Sequence, residues 1–240
     1  LGNPWVVVSD PRVAKPLTPI QIQKALPGAL WDKLVSILDT LCVEPDDALC
    51  ARYRLRGAAA PMSMSGQFRL ARAALLLLGD GGLRREEAAS ASRKNLRPTY
   101  STSDLWELDV LGKRYKWRTT FLPTRAIAAL EAHWRDRSLD FSFGMQDVPL
   151  LAPLVVPRTT AALNKQATEN GHGFTPDGVY QVVRSVLDRI CTDPTVELED
   201  WERQILLHAG PHAFRHTFGT TAAAGDVPVD VLQKAFGHAS

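Results

Sequence analysis

The run Ala73-Ala74-Leu75-Leu76-Leu77-Leu78, broken at once by Gly79-Asp80-Gly81-Gly82, constrains this chain more than any other feature. Apolar residues that leave no polar face need burial on every side of a helix. The Ala-, Leu- and Arg-rich residues from Gly66 onward extend the run, so 66–78 is expected to be a buried helix. The glycine cluster ends it, and a second helix is expected from Leu83 to about Ser92. The cluster lacks the Lys and Ser/Thr of a phosphate-binding P-loop, and no strand precedes it. It reads as a tight helix-to-helix turn.

The other elements follow from local signals. Residues 1–17, with Pro4, Pro11 and Pro16, read as an interdomain linker, and 18–240 as one domain. Thr18-Pro19-Ile20-Gln21 has capping-box spacing with Pro at the first helical position, and a helical region broken at Pro27-Gly28 is expected up to Leu41. Between Leu96 and Pro123 the period changes. Leu105–Val110 and Trp117–Leu122 read as the arms of a β-hairpin with a basic turn around Gly112. Helices are expected from Thr124 to Arg135, after the cap Thr175-Pro176, from Pro211 to Ala224, and from Pro228 to about Gly237. Residues 141–157 hold three prolines and read as loop. The fold class is therefore mainly α with one small antiparallel β-sheet (α+β), and no internal repeat is visible.

Composition narrows the class. Of 240 residues, 45% are hydrophobic and 22% charged, which suits a globular protein, and no run of 18 apolar residues exists to span a membrane. The chain starts at Leu1 without a signal-peptide pattern and reads as a portion of something longer. Cys42, Cys50 and Cys191 show no metal-like pairing and leave one thiol over in any disulfide scheme, so a reducing cytoplasm is expected. The net charge of +2 hides an asymmetry: residues 52–118 carry 14 Lys and Arg against 6 Asp and Glu, and the remainder 14 against 20. One basic face turned toward a polyanion would produce that split, as would a solvated helix surface.

The segment richest in chemistry is Pro211-His212-Ala213-Phe214-Arg215-His216-Thr217-Phe218-Gly219-Thr220. On a helix, positions 212, 215, 216 and 219 share one face, while Phe214 and Phe218 share another that can anchor in a core. His208, His212 and His216 recur every fourth residue, yet Pro211 opposes one continuous helix, and the zinc-protease pattern H-E-x-x-H needs Glu where Ala213 stands. No metal is assigned. Either His or Arg taken singly is an ordinary helix-start hydrogen-bonder.

Taken together, His212-x-x-Arg215-His216 and the closing Gly237-His238-Ala239-Ser240, whose His stands 23 residues after Arg215, resemble the C-terminal signature of tyrosine recombinases of the phage-integrase and Xer kind. Gly82-Leu83-Arg84-Arg85-Glu86-Glu87 resembles the Gly-Leu-Arg-x-x-Glu motif of that family, Gly112-Lys113 its lysine-bearing hairpin, and Leu17-Thr18-Pro19 the usual opening of its catalytic domain. The resemblance covers about Leu17 to Ser240. It implies that Arg84, Lys113, His212, Arg215 and His238 are catalytic and that Glu87 and His216 support them. Arg85, Arg114, Lys116 and Arg118 are expected to contact DNA. Arg85 competes with Arg84 and Lys116 with Lys113, but only Arg84 follows Gly-Leu and has Glu three places on. The nucleophilic tyrosine is expected beyond Ser240, because Tyr53, Tyr100, Tyr115 and Tyr180 sit in other contexts.

The residue types suit the implied reaction. Cleaving a phosphodiester builds charge on two nonbridging oxygens and on the departing 5′ oxygen. Guanidiniums grip the first two with paired donors and stay charged. An ammonium can protonate the third, and histidines can relay the nucleophile's proton. The resemblance thus implies a site-specific recombinase or integrase of double-stranded DNA that works through a 3′-phosphotyrosyl intermediate without metal or other cofactor. It implies a homotetramer on paired sites for the full-length form, and a cytoplasmic, nucleoid-associated setting. A type IB topoisomerase-like enzyme and a DNA-binding relative without catalysis are the alternatives.

Overall fold

The computed structural model describes residues 25–54, 63–99, 104–112, 115–144, 146–155, 160 and 173–224. The fold is organised around the helix announced by the apolar run. Helix α3 (Met64–Gly79) buries 13 of its 16 residues, including every residue from Ala73 to Gly79. Ser63 caps it, its Oγ accepting from the Gly66 N–H at 2.9 Å. Around α3 pack α1 (Gly28–Val43), α2 (Asp46–Arg52), α4 (Arg85–Ser90), α5 (Thr124–Asp136), α6 (Pro176–Thr192) and α8 (Pro211–Ala224), with α7 (Asp200–His208) against α6. Such a helix is apolar all round because it has neighbours all round.

Of the helical region expected to break at Pro27-Gly28 and to run to Leu41, the part after the break is α1, which starts at Gly28 with Pro27 preceding it in extended conformation. Residues 18–24 lie outside the described residues, as does the helix expected after Pro228. The chain enters α1 through a buried bond, the Leu26 N–H donating to Thr217 Oγ1 of α8 at 2.9 Å. Trp31 of α1 stacks obliquely on Phe214 of α8 and donates from Nε1 to Asp80 at 3.1 Å. Asp80 also takes both Nε and Nη2 of Arg125 from the start of α5, so one carboxylate fastens three elements at the end of α3.

The hairpin is present as β2 (Leu105–Leu111) and β3 (Trp117–Pro123), antiparallel, with Val110 opposite Arg118 and Leu108 opposite Thr120. A third strand, β1 (Leu96–Pro98), pairs antiparallel with β2 and gives the order β1-β2-β3. Three residues are too few for a period-2 signal, so the strand was not expected. Helices α2 and α7 were likewise missed. The second is capped by Glu199, whose backbone N–H donates to Glu202 at 2.8 Å, a capping pattern led by a residue type outside the usual set. Thr175 caps α6 as read, accepting from the Gly178 N–H at 3.1 Å.

The proline-rich stretch after α5 has no periodicity, and side chains hold its backbone in place. Arg93 Nε donates to the Phe141 carbonyl at 2.8 Å, Arg137 to that of Pro149 at 2.9 Å and Trp134 to that of Leu150 at 3.1 Å. His133, fully buried, accepts from the Ala152 N–H at 3.3 Å. The charge asymmetry along the sequence is largely folded away. Arg52, Arg69, Arg72, Arg85 and Lys94 from the basic block pair with Glu44, Asp136, Asp39, Asp177 and Asp147 from the acidic remainder. Among the described residues no helix is long and apolar enough to cross a membrane.

Burial, together with the charges of Arg137 and Arg69, pushes the His133 imidazole from its ordinary 6.5 down to about 3. The neutral ring is the folded form, so its contribution to stability is complete above pH 6.5 and is lost as pH falls toward 3. Between pH 7 and 4.5 the wild type should lose about 3 kcal/mol more stability than His133→Gln, at about 1.4 kcal/mol per pH unit below 6.5. Urea unfolding at the two pH values measures this, and parallel losses in both proteins would refute it.

Candidate active site

The turn that ends α3 sets up the site. Asp80 and Gly81 donate their N–H groups to the Leu76 carbonyl at 2.9 and 3.1 Å, and Leu83 donates to that of Leu77 at 3.1 Å. Gly82 sits at φ +59°, where a side chain is strained, and a Cβ there would lie 2.4 Å from the Phe218 ring of α8. Reversal at this point presents two carbonyls to other elements. That of Gly81 accepts from Thr120 Oγ1 at 2.7 Å, and that of Gly82 accepts from Arg118 Nη2 at 3.3 Å and from Arg215 Nη1. Arg84 follows in extended conformation as the residue before α4.

Glu87, one turn into α4, is the hub. Its side chain is 1% exposed and receives three arginines. Arg84 donates its backbone N–H to Oε2 and its Nη1 to Oε1, each at 2.8 Å. Arg118 from β3 grips both oxygens, Nε to Oε1 at 3.2 Å and Nη2 to Oε2 at 2.5 Å. Arg215 from α8 brings Nη1 to 3.7 Å from Oε2. Burial alone would raise the Glu87 carboxyl, but the hydrogen bonds from Arg118 and Arg84 and the Arg118 charge hold it below its usual range.

The quartet carries more positive than negative charge. Burial first, and then the charges of Arg84 and Arg118, push the Arg215 guanidinium down to about 9 against the opposing pull of Glu87. An anion seated among these guanidiniums would relieve that repulsion. The arginines differ in access: Arg84 is 25% exposed, Arg118 7% and Arg215 8%.

The structure thus brings together Arg84, Glu87 and Arg215 from the expected site. His212 is exposed on the first turn of α8 and His216 is half-buried one turn on. Lys113, Arg114 and His238 lie outside the described residues. The turn before Lys113 is nonetheless anchored: Gly112 donates its N–H to the Lys116 carbonyl at 2.8 Å, and a Cβ on Gly112 would stand 3.3 Å from Glu87 Oε1. Lys116 is exposed. Arg85 lies near the surface, pairing with Glu86 and Asp177, both at 3.3 Å.

Arg118, expected on a DNA-facing surface, points inward instead. Its strand explains why, since Arg118, Thr120 and Leu122 share the face of β3 that meets the core. That parity was legible in the sequence. The paired carbonyl of Gly82 was not, because nothing in a sequence marks where a backbone oxygen will point. The three histidines at four-residue spacing fall on two helices, α7 ending at His208 and α8 opening at Pro211.

Glu87→Gln keeps the shape of the hub and removes its charge. It should cost about 3–5 kcal/mol, as loss of one partner from a buried ionic cluster does. Denaturant unfolding should show the midpoint falling with an unchanged m-value, partly restored by sulfate. A change under about 1 kcal/mol, the level of exposed pairs, would show that the hub is not buried in solution.

No protein-family model matches the sequence, and no curated protein matches it. Among solved structures the chain is similar to the XerH site-specific recombinase bound to palindromic difH substrate in a post-cleavage complex, with 17% identity and a TM-score of 0.57 over 90% of this chain and 46% of that one. It is also similar to XerH bound to difH in a pre-cleavage complex, with 17% identity and a TM-score of 0.53 over 90% and 47%. The chain spans less than half the length of these solved chains. Its mostly helical architecture with a three-stranded antiparallel sheet is the fold of the tyrosine recombinase catalytic domain.

Proposed function

We propose that this chain is the catalytic domain of a site-specific recombinase that cleaves and rejoins double-stranded DNA. The observation that carries the reading is the convergence of Arg84, Arg118 and Arg215 on the single carboxylate of Glu87. The excess positive charge suits a phosphodiester, whose two nonbridging oxygens fit paired guanidinium donors. Arg84 and Arg215 take those oxygens in this reading. Each preorganised donor of that kind contributes about 10²–10³ in rate.

The tyrosine nucleophile, supplied by chain beyond Ser240, attacks phosphorus through its phenolic oxygen. The bond from phosphorus to the 5′ oxygen breaks, and Lys113 delivers a proton to that oxygen while His212 and His238 hold the phosphate or relay the phenolic proton. The product is a 3′-phosphotyrosyl link and a free 5′ hydroxyl, and attack by a second 5′ hydroxyl reverses it. Fixed guanidinium charge stabilises the transition state, so the reading needs no metal. In the full-length protein the assembly would be a homotetramer on paired DNA sites, working where chromosomal or mobile-element DNA lies inside the cell. Arg85, Arg114 and Lys116 would contribute phosphate contacts, with affinity falling steeply as salt rises.

A nicked suicide substrate carrying the protein's own attachment site tests this. In EDTA, the full-length protein should form a covalent adduct with DNA, and Arg215→Ala should slow its formation by about 10²–10³. Tight binding without any adduct would reduce the protein to a DNA-binding relative.

A further inference from the structure

We propose that Arg118 is a positioning residue for phosphoryl transfer, acting through Glu87 and the Gly82 carbonyl to set Arg84 and Arg215; this rests on the functional reading above. Two acceptors of Arg118, the Glu87 carboxylate and the Gly82 carbonyl, are shared with those two arginines. Its Nε meets Glu87 Oε1, which also takes Arg84 Nη1. Its Nη2 meets Oε2, which also takes the Arg84 N–H and lies 3.7 Å from Arg215 Nη1. The same Nη2 reaches the Gly82 carbonyl, the acceptor of Arg215 Nη1.

The geometry gives Arg118 a task that a point charge would not perform. A side-on grip by two nitrogens fixes the plane of the carboxylate as well as its place. Without it, Glu87 is free to turn toward Arg84 and Arg215, drawing in the guanidiniums that are meant to face a phosphate. The Nε–Nη2 edge of Arg118 is taken up by Glu87, and the residue rises from the core face of β3 beside Thr120, whose hydroxyl holds the neighbouring Gly81 carbonyl. Arg118 also belongs to the hairpin arm that leaves the Gly112 turn, and Gly112 lies against Glu87 Oε1. The hairpin and the arginine pair thus share one anchor.

The test uses the full-length protein in single-turnover cleavage of the suicide substrate at saturating DNA. Arg118→Lys keeps the charge and loses the fork. It should cleave about 10²-fold more slowly, the cost of a displacement near 1 Å, with a Kd for DNA within about twofold of wild type. A substrate with sulfur in place of the departing 5′ oxygen separates alignment of the phosphate from delivery of the proton, because a thiolate leaves without protonation. The Arg118→Lys defect should persist on it, while that of Lys113→Ala should vanish.

Arg118→Gln leaves Glu87 with its partners Arg84 and Arg215 and still offers its carboxylate an amide donor, so it serves if Arg118→Lys folds poorly. This second variant should fold and still cleave slowly. Cleavage at the wild-type rate by either variant overturns the proposal. So does a loss confined to Kd, which would make Arg118 a DNA contact, and so does rescue of Arg118→Lys by the sulfur substrate, which would place its action on the leaving group. Failure of the wild type to form any adduct sinks the functional reading instead.

Discussion

A carboxylate with almost no exposure, held by three guanidiniums from three different elements, is the constraint on which the rest of this structure turns. Arg84 arrives from the turn after α3, Arg118 from β3 and Arg215 from α8. Desolvating a carboxylate is costly unless its lone pairs are satisfied, and here four hydrogen bonds meet its two oxygens. The sheet, the central helix and α8 therefore cannot shift independently. The same cluster ties fold to chemistry, because the groups that satisfy Glu87 are those whose residual charge invites an anion.

The central helix makes this arrangement possible by giving every other element a common floor. Because α3 is apolar on all sides from Ala73 to Gly79, α1, α5, α6 and α8 all pack on it, and α1, α5 and α8 meet at its C-terminal turn. Polar groups at that turn do the joining. Asp80 fastens Trp31 and Arg125, Gly81 accepts from Thr120, and Gly82 accepts from Arg118 and Arg215. A left-handed glycine pressed against Phe218 lets the chain reverse tightly enough for these carbonyls to face their partners.

Much of this could be read from residues alone, where local physics decides. The apolar run required a buried helix, Thr175-Pro176 and Pro211 marked helix starts, and alternation marked the two long strands. The pairing of Arg84 with Glu87 is local too, being three residues apart on one helix start. What escaped was non-local or unpatterned. Strand β1 is three residues long, α7 begins with an atypical cap, and the loop after α5 is held by Arg93, Trp134 and Arg137 reaching across the fold to backbone carbonyls. Arg118 was misplaced because its charge was weighed ahead of its parity on β3. The basic block from 52 to 118 misled in a related way, since its acidic counterparts are distant in sequence and adjacent in space.

The bond from the Leu26 N–H to Thr217 Oγ1 gives the chain's entrance an unusual partner. Thr217 is fully buried, its hydroxyl also donates to the Ala213 carbonyl at 3.0 Å, and it lies two residues beyond Arg215 on the same helix. A tug on the residues that lead into α1 is therefore delivered to the backbone of α8 through one buried hydroxyl. The helix that bears Arg215 is thus a mooring for the residues that enter α1, and tension on them reaches the helix of the site.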